Sequence, residues 1–483
     1  MSELLERLWA LLPALLHVVA AVAVTIDAVL RKRQVSAVIG WIGLAWLAPV
    51  VGSVLYLLFG INRIQRSAVA LGLREAWGLA DRQLPAPRSD GEEGNWLARH
   101  DRFASLDCLS GRVTGNPLRA GNRIDALEDG DAAYPAMLAA IDGASRSVTL
   151  ASYIFDNDAT GQAFLAALQR AQQRGVQVRV LIDGLGLHYS RPDMLGQLRR
   201  AGLPSAAFLP TRIPLPSRYA NLRNHRKIMV VDAQRGFTGG MNIRNGHWLA
   251  KNPAYPVRCL HFEVTGPIVA DLQRTFAIDW AFASGEQLHG EPWFGPALAG
   301  GSVLARSIPD GPDADIDNTP QVILGALAVA RSRVCIVTPY FLPDEVLVTT
   351  LRVTALRGVA VDIVLPARSN IRVMDWANRP QLAELLEAGC RVHLSPPPFD
   401  HTKLFLVDEL WSLIGSTNWD TRSLRLNFEC NLECYDAGLV RRLDTIAEKR
   451  IAAARRLVAA ELRALPLALR LRNGLARLLS PYL

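Results

Sequence analysis

The chain has 483 residues, of which 50% are hydrophobic and 20% charged, and its formal net charge is +8. This length and composition exclude a disordered or fibrous protein and predict two or three domains with a substantial core. The mean hydropathy of +0.14 is high for a soluble protein of this size, which indicates a part inserted in a membrane.

Two uncharged stretches near the N-terminus predict a membrane anchor. Leu8–Ile26 and Gln34–Asn62 contain 19 and 29 residues without a charged side chain, and each is long enough to cross a bilayer as a helix. A cleaved signal peptide is the alternative for the first stretch, but the residues before it are not basic and a second stretch follows at once. We therefore expect two transmembrane helices within residues 1–62. The flanking basic residues are balanced, so they leave open which face of the membrane carries the rest of the chain.

The remainder of the chain predicts a linker and then an α/β architecture. Residues 63–115 are rich in Pro, Gly and charge towards their end and indicate a linker. From Asn116 onwards, apolar strands alternate with helical patterns: Val148–Phe155 predicts a strand, Gly161–Arg174 a helix and Gln177–Asp183 a second strand. This alternation is typical of a largely buried sheet covered by helices.

The same order of elements occurs twice. Arg174–Asp183 is echoed by Arg357–Pro366 at an offset of 183, and Tyr153 by Tyr340 at an offset of 187. Such a long period excludes a solenoid and predicts an internal duplication. We expect an α/β fold of two similar lobes, each with a mixed β-sheet flanked by helices, with one site between them. The lobes are assigned to residues 116–290 and 291–438.

The C-terminal segment 439–483 is strongly basic. Residues 441–483 contain 10 basic and 3 acidic side chains, with arginines spaced among Leu and Ala. This pattern predicts an amphipathic helix, which either lies on anionic lipid or packs on the protein with a solvated basic face.

The chemistry is carried by a motif that is present in both lobes. Each copy has the spacing His-x-Lys-x4-Asp, followed by two small residues and an Asn: His225, Lys227, Asp232, Gly239, Gly240 and Asn242, then His401, Lys403, Asp408, Gly415, Ser416 and Asn418. Only five of the 53 basic residues are lysines. Two His-x-Lys pairs with the same residues after them are therefore not expected by chance. In a strand, residues i and i+2 point to the same side, so each motif offers an imidazole and an ammonium together.

Two such motifs facing each other suit displacement at a phosphodiester. One histidine attacks phosphorus and the other protonates the leaving alcohol, while the two lysines and the amides of Asn242 and Asn418 hold the phosphate oxygens. A carboxylate is expected to orient each imidazole; the sequence offers Glu429, 28 residues after His401, and Glu263 as the counterpart for His225.

Other kinds of site have less support. A metal held by the two histidines lacks further ligands at metal spacing, so no metal and no cofactor are expected. Six cysteines without a CxxC pair predict packed thiols rather than a disulfide framework. The P-loop and strand-associated GxGxxG signatures of nucleotide binding are absent from the sequence.

The chain resembles bacterial cardiolipin synthases of the phospholipase D superfamily. The resemblance rests on the duplicated His-x-Lys motif and on further segments along nearly the whole chain: Tyr56-Leu-Leu-Phe-Gly60, Asn224-His-Arg-Lys227, Thr338-Pro-Tyr-Phe-Leu-Pro343, Asn418-Trp-Asp-Thr-Arg-Ser423, Asn427-Phe-Glu429 and Ala476-Arg-Leu-Leu-Ser-Pro481. One departure is Val257-Arg-Cys-Leu-His261, where Cys259 stands in a stretch that is more often Asp-Thr-His in the family.

The resemblance implies metal-independent phosphatidyl transfer between two molecules of phosphatidylglycerol, giving cardiolipin and glycerol. His225 would be the nucleophile and His401 the acid and then the base, although a pseudo-symmetric site could run in either direction. It also implies a multi-pass protein of the bacterial inner membrane, with the cytoplasmic face favoured, and contact with anionic membrane lipid.

Three other functions share parts of these observations. A phospholipase D-type hydrolase releasing phosphatidic acid would use the same residues with water as acceptor. A nuclease is disfavoured, and no nucleic acid is expected, because the excess charge lies in the tail rather than around the motifs. A binding protein with a dead site is disfavoured by the intact motifs. Both motifs lie in one chain, which predicts a site complete in the monomer and leaves the oligomeric state open.

Overall fold

The structure is a computed structural model that describes residues 2–31, 35–48, 50–57, 101–210, 222–298, 300–312 and 315–480. The chain divides into two compact units, Met1–Ser67 and Ala68–Leu483.

The N-terminal unit contains one long apolar helix. The helix Ser2–Arg31 includes Leu12–Leu30, whose mean hydropathy of 2.0 makes it the one candidate membrane span among the described residues. The second predicted span does not form one long helix, since its described part forms the helices Val35–Leu47 and Val51–Leu55. Val50, just before the second of these, has a positive φ of 61°, a conformation that interrupts a right-handed helix. The prediction of two spans is therefore confirmed for one helix only.

The larger unit is built on twenty described strands. They are β1 (Arg119–Glu128), β2 (Ser147–Ser152), β3 (Gln177–Asp183), β4 (Ser205–Phe208), β5 (Arg223–Asn224), β6 (Ile228–Val231), β7 (Arg235–Gly239), β8 (Val257–Arg258), β9 (Leu260–Thr265), β10 (Val303–Asp310), β11 (Arg333–Val337), β12 (Phe341–Leu342), β13 (Ala360–Pro366), β14 (Arg391–Ser395), β15 (Phe399–Asp400), β16 (Leu404–Val407), β17 (Trp411–Gly415), β18 (Trp419–Asp420), β19 (Asn427–Tyr435) and β20 (Arg455–Leu457).

Helices cover the sheet. They are Asp101–Thr114, Asp129–Asp142, Ala159–Gln173, Met194–Arg200, Val269–Ser284, Asn318–Val329, Glu345–Leu356, Arg372–Ala377, Arg379–Glu387, Thr421–Arg425, Ala437–Ala453, Ala459–Arg463 and Leu467–Arg477, with 3-10 turns at Gly186–Tyr189, Asn245–His247 and Leu249–Lys251. The helix Ala159–Gln173 begins where the Asp158 carboxylate accepts a hydrogen bond from the Gly161 N–H, a side-chain cap that sets its first turn.

One mixed sheet runs through both lobes, and its strand order is nearly palindromic. The order is β20-β14-β13-β11-β16-β17-β19-β10-β1-β9-β7-β6-β2-β3-β4, and β5 pairs with β19. Counting outwards from the antiparallel contact between β1 and β10, each strand from β9 to β4 has a counterpart from β19 to β14. Strands β2, β3 and β4 are parallel in the first half, as are β11, β13 and β14 in the second, and the strands nearer the centre are antiparallel. The second half has one extra edge strand, β20, which is antiparallel to β14. The predicted duplication and mixed sheets are confirmed.

Each lobe has its own apolar core because its central strands are covered on both faces. Strands β2, β6 and β16 are buried at every position, which is why they read as continuous apolar runs rather than alternating ones. Phe164 and Val180 belong to the core of the first lobe, and Val322 and Ile363 belong to that of the second.

The predicted linker is wrong over its described part. Asp101–Thr114 is a helix whose Phe103 and Leu106 lie in the core of the second lobe. Its Asp107 forms an ion pair with the buried Arg306. This charged side chain is therefore present because it pairs within the protein, not because the segment is exposed to solvent. Residues 63–100 of the predicted linker lie outside the described residues.

The single C-terminal helix predicted for residues 439–483 is also wrong. The helix Ala437–Ala453 ends before β20, which adds antiparallel to the edge strand β14, and two further helices follow. The Arg450 Nε lies 2.7 Å from the Asp400 Oδ2 and is buried, which shows that part of the basic tail serves internal ion pairs.

Candidate active site

The two His-x-Lys segments lie where the lobes exchange short strands. β5 pairs in parallel with the start of β19, so that Asn224 lies opposite Phe428, and the His225 N–H donates to the Phe428 carbonyl at 2.9 Å. In the other lobe β15 pairs in parallel with β8, and the His401 N–H donates to the Arg258 carbonyl at 2.7 Å. Each histidine is thus held by a strand of the opposite lobe, which places both at the interface.

A buried carboxylate orients His225. The His225 Nδ1 lies 2.9 Å and 3.0 Å from the two carboxylate oxygens of Glu429. Glu429 also accepts hydrogen bonds from the Ser416 hydroxyl at 2.5 Å and the Asn427 amide at 3.3 Å. Although burial opposes the charge, His225, Lys227 and these donors hold the pKa of Glu429 below its usual value. Because Nδ1 donates to the carboxylate, the Nε2 lone pair is free to act as a nucleophile.

His401 has a different environment. Its Nδ1 donates to the Gly240 carbonyl at 3.0 Å, and the Cys259 thiol lies 4.0 Å away. Burial raises the pKa of Cys259 to about 12, so the thiol is neutral. The Lys403 Nζ lies 3.1 Å from the His401 Nε2. Burial and then the Lys403 charge hold the pKa of His401 well below its usual value, so His401 releases a proton readily.

Each lysine is anchored by its own motif. The Lys227 Nζ donates to the His225 carbonyl at 2.7 Å and the Lys403 Nζ to the His401 carbonyl at 2.8 Å. Burial lowers the pKa of Lys227 to about 7 and that of Lys403 to about 8. The charge on each lysine lowers the pKa of the histidine in the opposite lobe, as expected for charges around one small site.

The two asparagines lie at equivalent positions beside these pairs. The Asn242 Oδ1 accepts from the Ile154 N–H at 3.2 Å, and the Asn418 Nδ2 donates to the Ser423 hydroxyl at 3.0 Å. The Asn418 Oδ1 is buried without a hydrogen-bond partner. Both side chains are buried, and their role as phosphate ligands stays a prediction.

The predicted partners of the histidines need correction. Glu429 was expected to orient His401, but it contacts His225 because β5 pairs with β19 across the lobes. Glu263 was expected to orient His225, but its carboxylate forms an ion pair with Arg235 at 2.7 Å. Glu263 lies in β9, four residues beyond Cys259, a separation of about 13 Å in extended chain.

The carboxylates of the motif aspartates accept hydrogen bonds from backbone N–H groups of nearby turns. The Asp232 carboxylate accepts hydrogen bonds from the backbone N–H groups of Ser145, Arg146 and Ser147. Asp408 receives the equivalent bonds from residues 331–333 and an ion pair from Arg102. Both aspartates have positive φ, 54° and 53°, a conformation that Asp tolerates better than most residues. These bonds fix the turn after each motif strand, and a catalytic role for the two aspartates stays a prediction.

Several residues around the histidines were not predicted as part of the site. The Tyr153 ring centroid lies 5.1 Å from that of His225, and the Tyr340 ring centroid lies 6.2 Å from that of His401. His247 lies 6.3 Å from His401, ring to ring, and burial lowers its pKa to about 3. The two tyrosines occur at equivalent places in the sequence repeat, which is the signal that could have identified them. Nothing in the local sequence marks His247.

Comparisons with known proteins agree with this architecture. Residues 137–280 and 323–451 match the family described as cardiolipin synthase, PLD-like domain. The chain belongs to the cardiolipin synthase family. Residues 19–60 also match the family described as phospholipase D-nuclease N-terminal.

Individual relatives cover nearly the whole chain. It is 34% identical over 474 residues to cardiolipin synthase A of Pseudomonas fluorescens, with 97% of each chain covered. It is 31% identical over 469 residues to the cardiolipin synthase of Geobacillus kaustophilus, covering 94% of this chain and 90% of that one. The crystal structure of phosphatidylserine synthase from Haemophilus influenzae has a TM-score of 0.61 at 16% identity, covering 79% of this chain and 100% of that chain, which indicates a shared fold. The expected phosphatidyltransferase class is confirmed for the family.

Proposed function

We propose that this phosphatidyltransferase makes cardiolipin from two molecules of phosphatidylglycerol and releases glycerol, through a phosphatidyl-histidine intermediate. The observation that carries the proposal is the meeting of two buried His-Lys pairs, one backed by the Glu429 carboxylate and the other by the Gly240 carbonyl. This arrangement provides one nucleophile, one proton donor and two cations for a single phosphodiester.

In the first half of the reaction the His225 Nε2 attacks the phosphorus of the donor lipid. The bond from phosphorus to the glycerol oxygen breaks, and that oxygen takes a proton from the imidazolium of His401. As His225 becomes positively charged, Glu429 stabilises it through Nδ1. Lys227 and Lys403 hold the negative charge that develops on the equatorial oxygens, and Asn242 and Asn418 bind the same phosphate.

In the second half the headgroup hydroxyl of another phosphatidylglycerol enters. His401, now neutral, takes the proton of that hydroxyl while its oxygen attacks phosphorus, and the bond from phosphorus to His225 breaks. His401 is charged again and His225 is free. The Lys403 Nζ, 3.1 Å from the His401 Nε2, raises the tendency of His401 to give its proton up once the alkoxide forms.

The membrane part of the proposal rests on two surfaces. We propose a multi-pass anchor in the bacterial inner membrane, with Leu12–Leu30 as its first span and the shorter apolar helix Ala37–Leu47 within its second. The match of residues 19–60 to an N-terminal family of phospholipase D proteins supports an anchor that includes both segments.

The last helix carries a second apolar surface, the leucine stripe. Leu467, Leu471, Leu475 and Leu478 are each about 60–70% exposed, at helical spacing. Arg470, Arg472 and Arg477 flank the stripe, which therefore fits an anionic lipid surface. The helix packs beside Trp376 and Tyr340, and Tyr340 reaches His401, so lipid bound there lies close to the site.

The test of the reaction uses full-length protein in phosphatidylglycerol vesicles with chelator present. Cardiolipin and free glycerol appearing one for one, both lost in His401→Ala, support the proposal. Phosphatidic acid as the main product would instead identify a hydrolase, and no product would require another donor or acceptor lipid.

The leucine stripe is tested with Leu471→Glu and Leu475→Glu combined. We expect a large loss of activity on vesicles and little loss on short-chain phosphatidylglycerol below its critical micelle concentration. Leu356→Glu is the matched control, since Leu356 is 71% exposed on a helix outside the stripe. Equal losses on both substrates would contradict the assignment.

A further inference from the structure

A second cationic cluster lies next to the histidines and takes no part in the mechanism above. Arg223 stands two residues before His225, at the start of β5, and only 9% of it is exposed. Its Nη1 donates to the Leu222 carbonyl at 2.7 Å, while its Nε is buried without a hydrogen-bond partner. Within the described residues no carboxylate forms an ion pair with it.

Arg422 brings a second guanidinium to the same region, because its helix leads into the start of β19, where Asn427 pairs with Arg223. It lies in the helix Thr421–Arg425, directly after β18, and is partly buried. Burial, and then the charge of Arg223, lower the pKa of Arg422. The observation that points to an anion is the buried Nε of Arg223, since a buried N–H group without an acceptor is costly to leave unsatisfied.

The neighbouring carboxylates are occupied by backbone groups. Asp183 accepts hydrogen bonds from the N–H groups of Asn224 at 2.7 Å and Leu185 at 2.9 Å. Asp420 caps its helix through the Ser423 N–H at 2.9 Å. Burial raises the pKa of both carboxyl groups to about 6, and Asp183 forms no ion pair with Arg223.

The arginine cluster adjoins the reaction centre through Tyr153. In an extended segment, residues two apart lie on the same side, so Arg223 and His225 face the same region. The Tyr153 ring centroid is 5.1 Å from the His225 ring and 5.4 Å from the Lys227 Nζ. The charge of Arg223 also acts on the Tyr153 hydroxyl, against the burial that raises its pKa.

We propose that Arg223 and Arg422 form a second phosphate subsite, which binds the phosphodiester of the acceptor phosphatidylglycerol. This inference rests on the proposed function and adds the recognition of its acceptor. The donor phosphate is held between the two lysines, whereas the acceptor carries its own phosphate one glyceryl unit from the attacking hydroxyl. The planar guanidinium groups suit a phosphodiester anion, which they bind through paired N–H donors.

The experiment separates the two acceptors that the intermediate can use. Labelled glycerol exchanging into phosphatidylglycerol requires the donor site alone, because glycerol has no phosphate, whereas cardiolipin formation requires both subsites. We expect Arg422→Gln and Arg223→Gln to lower cardiolipin formation by about tenfold or more, with glycerol exchange within about threefold of wild type.

Arg425→Gln is the matched control. Arg425 lies in the same short helix, but its side chain is 47% exposed and pairs with Asp344, so both rates should stay near those of wild type. Arg422→Lys keeps a charge without the planar donors; it should show the same selective loss, to a smaller extent, and serves if the Gln variants unfold.

Equal falls in exchange and cardiolipin formation in folded variants would overturn the inference, as would unchanged cardiolipin formation. If the wild-type protein exchanges glycerol but makes no cardiolipin, the proposed function fails, and the acceptor subsite fails with it. If the variants lose cardiolipin formation but keep glycerol exchange, the result supports both the proposed function and the acceptor subsite.

Discussion

The two lobes share one topology but surround their histidines with different chemistry. The register of the sheet makes Glu429 equivalent to Cys259, Ser416 to Gly240 and Asn427 to Val257. Around His225 these positions provide a carboxylate with two further hydrogen-bond donors; around His401 they provide a neutral thiol, a backbone carbonyl and an apolar side chain.

This difference separates the roles of two histidines that the sequence motif alone treats as equal. In the proposed reaction, the carboxylate on Nδ1 stabilises the positive charge that His225 acquires when it bonds to phosphorus. No carboxylate of the described residues bonds to the His401 ring, and Lys403 lies beside that ring, so the charged form of His401 is disfavoured and it gives up a proton easily. The comparison therefore favours His225 as the nucleophile and His401 as the acid.

The largest expected effect comes from substituting Glu429 and its counterpart Cys259, one at a time. Glu429→Gln should lower the rate of cardiolipin formation on the order of 10²-fold or more, because the Nδ1–H loses its anionic acceptor. Cys259→Ser should cost less than about tenfold, because the thiol is neutral and makes only weak contacts. Initial rates of the two folded variants check this. Equal losses would mean that the lobes are chemically alike.

The pH dependence of the rate is the next expected effect. His225 must be neutral to attack phosphorus, so kcat/KM should rise as pH passes its lowered pKa of about 4. His401 must be protonated to act as the acid, and because its pKa is also lowered, kcat/KM should decline as pH rises above that pKa. Lys227 and Lys403 lose their charge as pH rises through their lowered pKa values of about 7 and about 8, so the rate should fall there.

Lys227→Arg sharpens the pH prediction, because arginine stays charged over this range. If it is active, the fall in kcat/KM around neutral pH should begin at higher pH than that of wild type, since Lys403 is then the one lysine of the site that titrates. The profile is measured from kcat/KM with vesicles of constant composition. A fall that does not move would show that Lys227 is not the group that titrates.

The smallest expected effect on the reaction comes from the motif aspartates. Asp232→Ala and Asp408→Ala each leave backbone N–H groups without their charged acceptor, so each should lower the free energy of unfolding by about 1–3 kcal/mol. The rate per folded molecule should change little, because neither carboxylate is bonded within the site. Thermal melts and rates on the same samples separate the two effects.

Glu263→Gln is a useful companion to the aspartate variants. Its partly exposed ion pair with Arg235 should contribute about 1 kcal/mol or less to stability, and the rate should not change. A selective loss of rate in this variant would restore the role that the sequence suggested for Glu263.

Local patterns in the sequence were sufficient to predict the repeat and the two His-Lys pairs that lie at the interface of the lobes. His225 and Lys227 lie two residues apart in an extended segment, and the apolar run after them is buried in the sheet. The partner of each histidine could not be predicted in this way, because it depends on β5 and β15 pairing across the lobes. Glu429 follows His401 in the chain yet contacts His225 for this reason.

Other differences have equally specific causes. Asp101–Thr114 follows a Pro- and Gly-rich stretch, so its composition resembled a linker although Phe103 and Leu106 bury one face. Asp232 and Asp408 are part of the motif, and the motif's chemistry suggested a catalytic role; their hydrogen bonds to backbone N–H groups appear only in three dimensions.

The most direct test of the account is to find the residue that carries the intermediate. Full-length protein is mixed with phosphatidylglycerol labelled at phosphorus, quenched in base within one turnover, digested and mapped by mass spectrometry. The account predicts a phosphorylated His225, formed in the wild type and lost in Glu429→Gln. Label on His401 would contradict it. So would the absence of any phosphorylated histidine in a sample that has already released glycerol when it is quenched.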